Sequence, residues 1–170
     1  MEDTYEFRQI IEELLKNKRV QEMKKYRQHF NRSCYEHCFF VAYVSYKTAK
    51  KLGWDYKSIT RAAMLHDFFL YDWRKDDGWH KWHAFRHGKF ALKNAIKEFN
   101  LTDQEKDMIK KHMWPVTIIP PRTKEGFLLT FIDKYCALME MVRWNCNKAE
   151  KNTFFCPIFL TFLVIILEGN

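Results

Sequence analysis

Glycine and proline are scarce: the 170 residues include Gly 5 and Pro 4. A chain with so few turn formers builds long regular elements and few reversals. No alternation of apolar and polar residues persists long enough for a strand, and no internal repeat occurs. There is no CxxC pair, and the five cysteines (Cys34, Cys38, Cys136, Cys146 and Cys156) do not read as a disulfide framework. With no secretory signal at the N-terminus, they are expected to be reduced thiols in a cytoplasm. No basic run is long enough for a nucleic-acid tail, so a stable nucleic-acid complex is not expected. The apolar run from Phe154 to Leu167, broken only by Pro157 and Thr161, is shorter than the roughly 20 residues of a membrane span. It is expected to form a buried terminal helix, or one docked on a partner chain as in a homo-oligomer, rather than a membrane attachment.

What remains is a globular composition. Hydrophobic residues are 47% and charged residues 29%, which fits one domain over residues 1–170 and excludes disorder or a membrane bundle. The 17% aromatic content implies densely packed helices or an aromatic-lined pocket. Lys+Arg 29 against Asp+Glu 21 leaves a net charge of +8. A basic surface favours anionic partners such as phosphate esters, although a merely soluble lysine-rich surface has the same composition.

Helical periodicity marks the elements. Phe7, Ile10, Ile11, Leu14 and Leu15 share one face of a first helix, and a short basic helix is expected from Val20 to Gln28. Ser33-Cys34-Tyr35-Glu36 is a capping box that opens a third helix, ending near Gly53. Phe39 to Tyr46 is apolar nearly all round, so that helix should be central. Further helices are expected over about Tyr56 to His66, Ala84 to Asn100, from the capping box Thr102-Glu105 to His112, and Lys124 to Trp144. Asp72 to His83 reads as a long aromatic loop at a rim, and Met113 to Pro121 as an extended segment before its prolines. The fold class is all-α, a single-domain bundle of seven to eight helices.

Against this background His66-Asp67 stands out at the end of the apolar run RAAMLHDFFL. Two metal-binding side chains at the end of a buried element cost free energy unless something charged binds them. An imidazole beside a carboxylate suits a borderline divalent cation. His37 precedes the pair, and His83, His87, His112 and Asp133 follow it. Asp133 lies within Leu128-Leu129-Thr130-Phe131-Ile132 and Tyr135-Cys136-Ala137-Leu138, where a buried carboxylate needs a partner. Cys34 and Cys38, spaced i,i+4, flank His37; packed core thiols are the expectation there and a thiolate metal site the alternative.

The segments YEHCFFVAYVSYKTAKKLG, AAMLHDFF and FIDKYCAL resemble the HD-domain metal-dependent phosphohydrolase superfamily, in particular its small single-domain bacterial members. The resemblance covers about Asn31 to Arg143 and leaves out residues 1–30 and the tail, 151–170. It implies His37, His66, Asp67 and Asp133 as metal ligands. HAFRHGKFALKNA and KKHMWP resemble the segments that carry two further histidines in binuclear members, implying His87 and His112. His83 competes with His87; His87 is preferred because small residues, Ala91 and Ala95, follow it on one face.

By the same likeness, Asp67 bridges two divalent transition metals (Fe, Mn, Co, Ni or Zn). His37, His66 and Asp133 complete one, and His87 and His112 hold the other. Such a pair, about 3.5–4 Å apart, clamps a phosphate and turns bound water into the attacking hydroxide. The expected activity is hydrolysis of a small phosphate ester or nucleotide, with His66 and Asp67 catalytic. Lys134 either reaches a phosphate oxygen or is a solvated lysine on the far side of its helix. Arg32 and Arg86, each near a ligand in sequence, lead Arg61 and Arg74 as phosphate contacts. Two other readings stay open: a metal- and nucleotide-binding sensor without turnover, and a di-iron oxygenase of the HD type. Tyr71, Trp73, Trp79, Trp82 and Trp114 either stack on a base or pack.

Overall fold

A computed structural model of the chain describes residues 2–28, 32–74 and 82–149. They form seven helices: α1 (Glu2–Lys16), α2 (Lys18–Glu22), α3 (Cys34–Lys51), α4 (Tyr56–Leu65), α5 (His83–Glu98), α6 (Asp103–Lys111) and α7 (Lys124–Ala149). A 3-10 turn, Met23–Lys25, follows α2. Among the described residues there is no strand, only an isolated antiparallel bridge between Arg27 and Ser33. The fold is all-α, as the periodicity predicts, and no described helix is long and apolar enough to cross a membrane. The apolar tail and most of the aromatic loop, including Trp79, lie outside the described residues.

α3 is the central element. Cys34, Cys38, Val41, Ala42, Tyr46 and Ala49 are wholly buried, and the helix packs most extensively against α4, then α7. Ser33 starts it with the expected capping box: its hydroxyl accepts from the Glu36 N–H, and the Glu36 carboxylate accepts from the Ser33 N–H at 2.9 Å. The end is set by Gly53, whose φ of +66° is the left-handed conformation that glycine adopts without strain. Phe7 of α1 meets Phe39 and Tyr43 edge-on at 5.4 and 5.3 Å, each contact contributing roughly 0.5–1.5 kcal/mol beyond its buried area.

Arg61 ties three helices together. Its guanidinium donates to Glu105 of α6 at 2.8 Å and to Glu13 of α1 at 3.1 Å. That use removes it from the phosphate-binding candidates.

Two expectations are corrected. The second helix does not run from Val20 to Gln28. Asn17 caps it early, its side chain accepting from Arg19 N–H and Val20 N–H, and it ends at Glu22. Beyond the 3-10 turn, pairing with the start of α3 captures the chain: Cys34 N–H donates to Tyr26 O at 2.7 Å and Gln28 N–H to Arg32 O at 3.1 Å. Met113 to Pro121 is not simply extended either. Trp114 N–H donates to Lys111 O, and the N–H groups of Val116 and Thr117 donate to Met113 O, so residues 111–117 form successive turns. Proline's fixed φ suits a turn as well as an extended segment. The Trp114–Pro115 bond is cis.

Candidate metal centre

The six residues singled out by the sequence converge from five helices. His37 lies in the first turn of α3, His66 and Asp67 just beyond the end of α4, His87 in the second turn of α5, His112 just beyond α6, and Asp133 within α7. All six are buried.

Local structure explains how the pair is presented. α4 stops at Leu65; Phe68 N–H donates back to Leu65 O at 3.1 Å, and neighbouring elements secure the rest of the turn. The Cys34 thiol donates to Asp67 O at 3.0 Å, and the Asn94 amide donates to Phe68 O at 2.8 Å. Phe68 and Phe69 are wholly buried and anchor the turn from beneath. Cys34 and Cys38 are thus packed thiols, and burial pushes both of them up from the usual thiol pKa.

Distances define two overlapping clusters. In the first, His37 Nε2 is 3.1 Å and His66 Nε2 is 3.3 Å from Asp133 Oδ1. In the second, Asp67 Oδ1 is 3.2 Å from His87 Nε2 and 3.5 Å from His112 Nε2, with those two nitrogens 2.8 Å apart. Asp67 Oδ2 lies 3.5 Å from His66 Nε2, so the Asp67 carboxylate stands between the clusters. Donor atoms of His37, His66 and Asp133, and likewise of His66, Asp67 and His112, lie close enough together to hold one ion.

The protons make the case for a cation sharper. His66 Nδ1 is 2.7 Å from Ala63 O, His87 Nδ1 is 2.9 Å from His83 O, and His112 Nδ1 is 2.8 Å from Ile109 O. A carbonyl only accepts, so each Nδ1 carries the hydrogen. In the neutral ring each Nε2 is then a bare lone pair, and all three face inward. Two such lone pairs 2.8 Å apart, between His87 and His112, repel unless a positive charge lies between them. Within the centre, His66 Nε2 and Asp67 Oδ1 have no hydrogen-bond partner among the described residues.

Without an ion, protons must fill that need. Burial pushes the Asp67 carboxyl up, but the imidazoles of His66, His87 and His112 outweigh it and hold it well below the usual range. Asp133 is likewise raised by burial but held well below its usual value by His37 and His66. Burial disfavours the charged forms of His37, His66 and His87, yet neighbouring carboxylates win and raise all three. His112 is lowered, by burial and by the charges of His87 and His66. Divalent cations would replace these protons, and the all-imidazole and carboxylate donor set fits them.

Of the two competing histidines, His87 is the one that joins the cluster. His83 is half-buried; its Nδ1 is 3.0 Å from the Tyr71 hydroxyl, and its ring stacks 5.2 Å from Trp73. Trp73 and Tyr71 therefore pack, as does Trp114, edge-on to Phe127 at 5.5 Å. Lys134 is neither solvated nor free: its half-buried amine donates to His112 O at 3.0 Å. Burial lowers its pKa. Arg74 pairs with Asp72. Arg32 is half-buried and 3.7 Å from Glu140, while Arg86 is exposed with no ion pair among the described residues.

Three contributors were not foreseen. The Gln28 side-chain amide donates to Asp67 Oδ2, and its own Oε1 is buried without a partner among the described residues. Glu140 lies 3.3 Å from His37 Nδ1. Gly88, beside His87, permits α5 and α6 to touch: a Cβ there would stand 2.9 Å from Lys110 O and 3.4 Å from His112 Cε1. Spacing offers a signal for Glu140 alone, seven residues after Asp133 and so on the same helix face.

Comparison with protein-family profiles, with curated proteins and with solved structures finds no match for this chain.

Proposed function

We propose that this protein is a metal-dependent phosphohydrolase of the HD type, acting on a small phosphate ester or nucleotide. One observation carries the reading. Nε2 atoms of four buried histidines are aimed at two buried carboxylates, an arrangement that metal ions make favourable. The net charge of +8 supports an anionic substrate.

In this reading His37, His66 and Asp133 would hold one cation and His87 and His112 the other, with Asp67 within reach of both sets. When bound, the cations supply Lewis acidity toward a phosphoryl oxygen and acidify water. The chain's own groups do the rest. Gln28 anchors the Asp67 carboxylate through Oδ2, leaving Oδ1 directed at His87 and His112. Lys134 fixes the end of α6 through the His112 carbonyl and places a positive charge beside Asp133. Arg86, exposed on α5 and without an ion pair among the described residues, is the arginine this reading assigns to an arriving phosphate. A cytoplasmic location belongs to the same proposal; the buried free thiols Cys34, Cys38 and Cys136 are consistent with it.

The test is metal analysis of protein purified without chelator, followed by a panel of phosphatase and phosphodiesterase substrates. Co-purifying transition metal and hydrolysis with Mn or Fe are expected. A preparation that holds no transition metal and stays inert with both overturns the reading; metal and nucleotide binding without product would favour the sensor alternative.

A further inference from the structure

Three of the four central imidazoles spend their Nδ1–H on main-chain carbonyls of their own helix or turn. His37 does not. Its Nδ1 lies 3.3 Å from each oxygen of Glu140, and its Nε2 lies 3.1 Å from Asp133 Oδ1. Asp133 and Glu140 are two turns apart on one face of α7, so this single helix grips both edges of a ring carried by α3.

Glu140 is itself buried, 7% exposed. A buried carboxylate is costly unless it is hydrogen-bonded and paired. Its described partners are His37 and, at 3.7 Å on the outer side, Arg32. An ionised carboxylate is acceptor-only, so once a cation takes the place of the proton between Nε2 and Asp133, Glu140 holds the remaining hydrogen on Nδ1 and keeps the Nε2 lone pair facing the centre.

We propose that Glu140 is a positioning residue of the metal centre, whose carboxylate fixes the tautomer and orientation of His37 and strengthens it as a ligand. No other central histidine has a carboxylate behind it among the described residues. The inference also reassigns Arg32. Its guanidinium neutralises the outer side of Glu140 instead of waiting for substrate. The proposal rests on the metal reading above, and the experiment separates the two.

Two readouts are needed, neither of them turnover. In the metal-free protein, proton NMR should show a downfield His37 Nδ1–H resonance, identified by its loss in H37N, and Glu140→Gln should remove it or move it strongly upfield. In titrations of metal-free protein with Co(II), E140Q should bind the tightest equivalent 10–100-fold more weakly, with a changed visible spectrum. Glu140→Asp, which keeps the charge but shortens the reach, should fall between. If E140Q does not fold, the same two comparisons are made with E140D, for which a smaller loss in the same direction is expected. An unchanged His37 resonance together with wild-type Co(II) affinity and spectrum overturns the role of Glu140. A wild-type protein that shows the resonance but binds no Co(II) overturns the metal reading, and with it the ligand role of His37.

Discussion

His83 and His87 lie stacked, ring centroids 4.6 Å apart and 17° from parallel, and yet they face different partners. His87 Nε2 points to Asp67 and His112, while His83 Nδ1 meets the Tyr71 hydroxyl at the rim. His87→Ala should therefore remove at least one equivalent of bound metal. His83→Ala should keep the metal and cost about 1–3 kcal/mol, the order of one hydrogen bond together with the ring contacts to Trp73 and His87. Metal content by mass spectrometry and thermal melts check both; the reverse pattern would exchange their roles.

Asp67 meets three of the four central histidines and Gln28, through Oδ1 to His87 and His112 and through Oδ2 to His66 and Gln28. Asp67→Ala should abolish metal binding and hydrolysis together. It should also destabilise the metal-free fold by about 3–5 kcal/mol, because buried charged imidazoles lose their counter-charge. Denaturant unfolding in the presence of EDTA measures the second effect independently of the first.

Gly88→Ala tests whether helix spacing sets the centre. The added methyl would meet the Lys110 carbonyl at 2.9 Å, a main-chain atom that cannot swing aside. Overpacking of this kind costs about 1–3 kcal/mol, offset by up to about 1 kcal/mol from alanine's better helix propensity. The His87–His112 separation should widen, so metal affinity should fall by more than stability does. Calorimetric titration beside a melting curve distinguishes the two losses.

The pH dependence should change sign with metal. His37, His66 and His87 are raised in the folded metal-free state, so their contribution is full below the unfolded value near 6.5 and is lost as pH rises through the folded values. Asp67 and Asp133 are lowered, so theirs is full above about 3.8 and fades only as pH falls through the depressed folded values. EDTA-treated protein should melt at progressively lower temperature as pH rises above about 6.5. The increment gained on adding Mn should grow over the same range, since the ion displaces protons. A metal increment independent of pH from 5.5 to 8.5 would contradict this.

The sequence exposes the parts of the site whose chemistry is costly without a purpose. His66-Asp67 after an apolar run and Asp133 inside one are visible because a buried charge needs a reason, whereas the selection of six residues that includes His87 and His112 comes from the family resemblance. The capping boxes at Ser33 and Thr102 are local signals, and both helices start there. Gln28 was not legible, because its reach to Asp67 depends on the Arg27–Ser33 bridge that turns the chain out of a helix. Nor was the choice between His83 and His87 open to periodicity: one turn of helix separates them, and the packing of α5 on α6 decides. Met113 to Pro121 misled because proline restricts the backbone without choosing between a turn and an extended segment.

The five-helix origin of the ligands bears on how fast an ion could leave. None of the six side chains shares a helix with another, apart from the adjacent His66 and Asp67 where α4 ends. Fraying of any one element would uncouple at most two donors and let the remainder hold on. Escape of a bound cation would then be tied to collective opening of the bundle, and its rate should track hydrogen exchange of the slowest α3 amides rather than that of the loops.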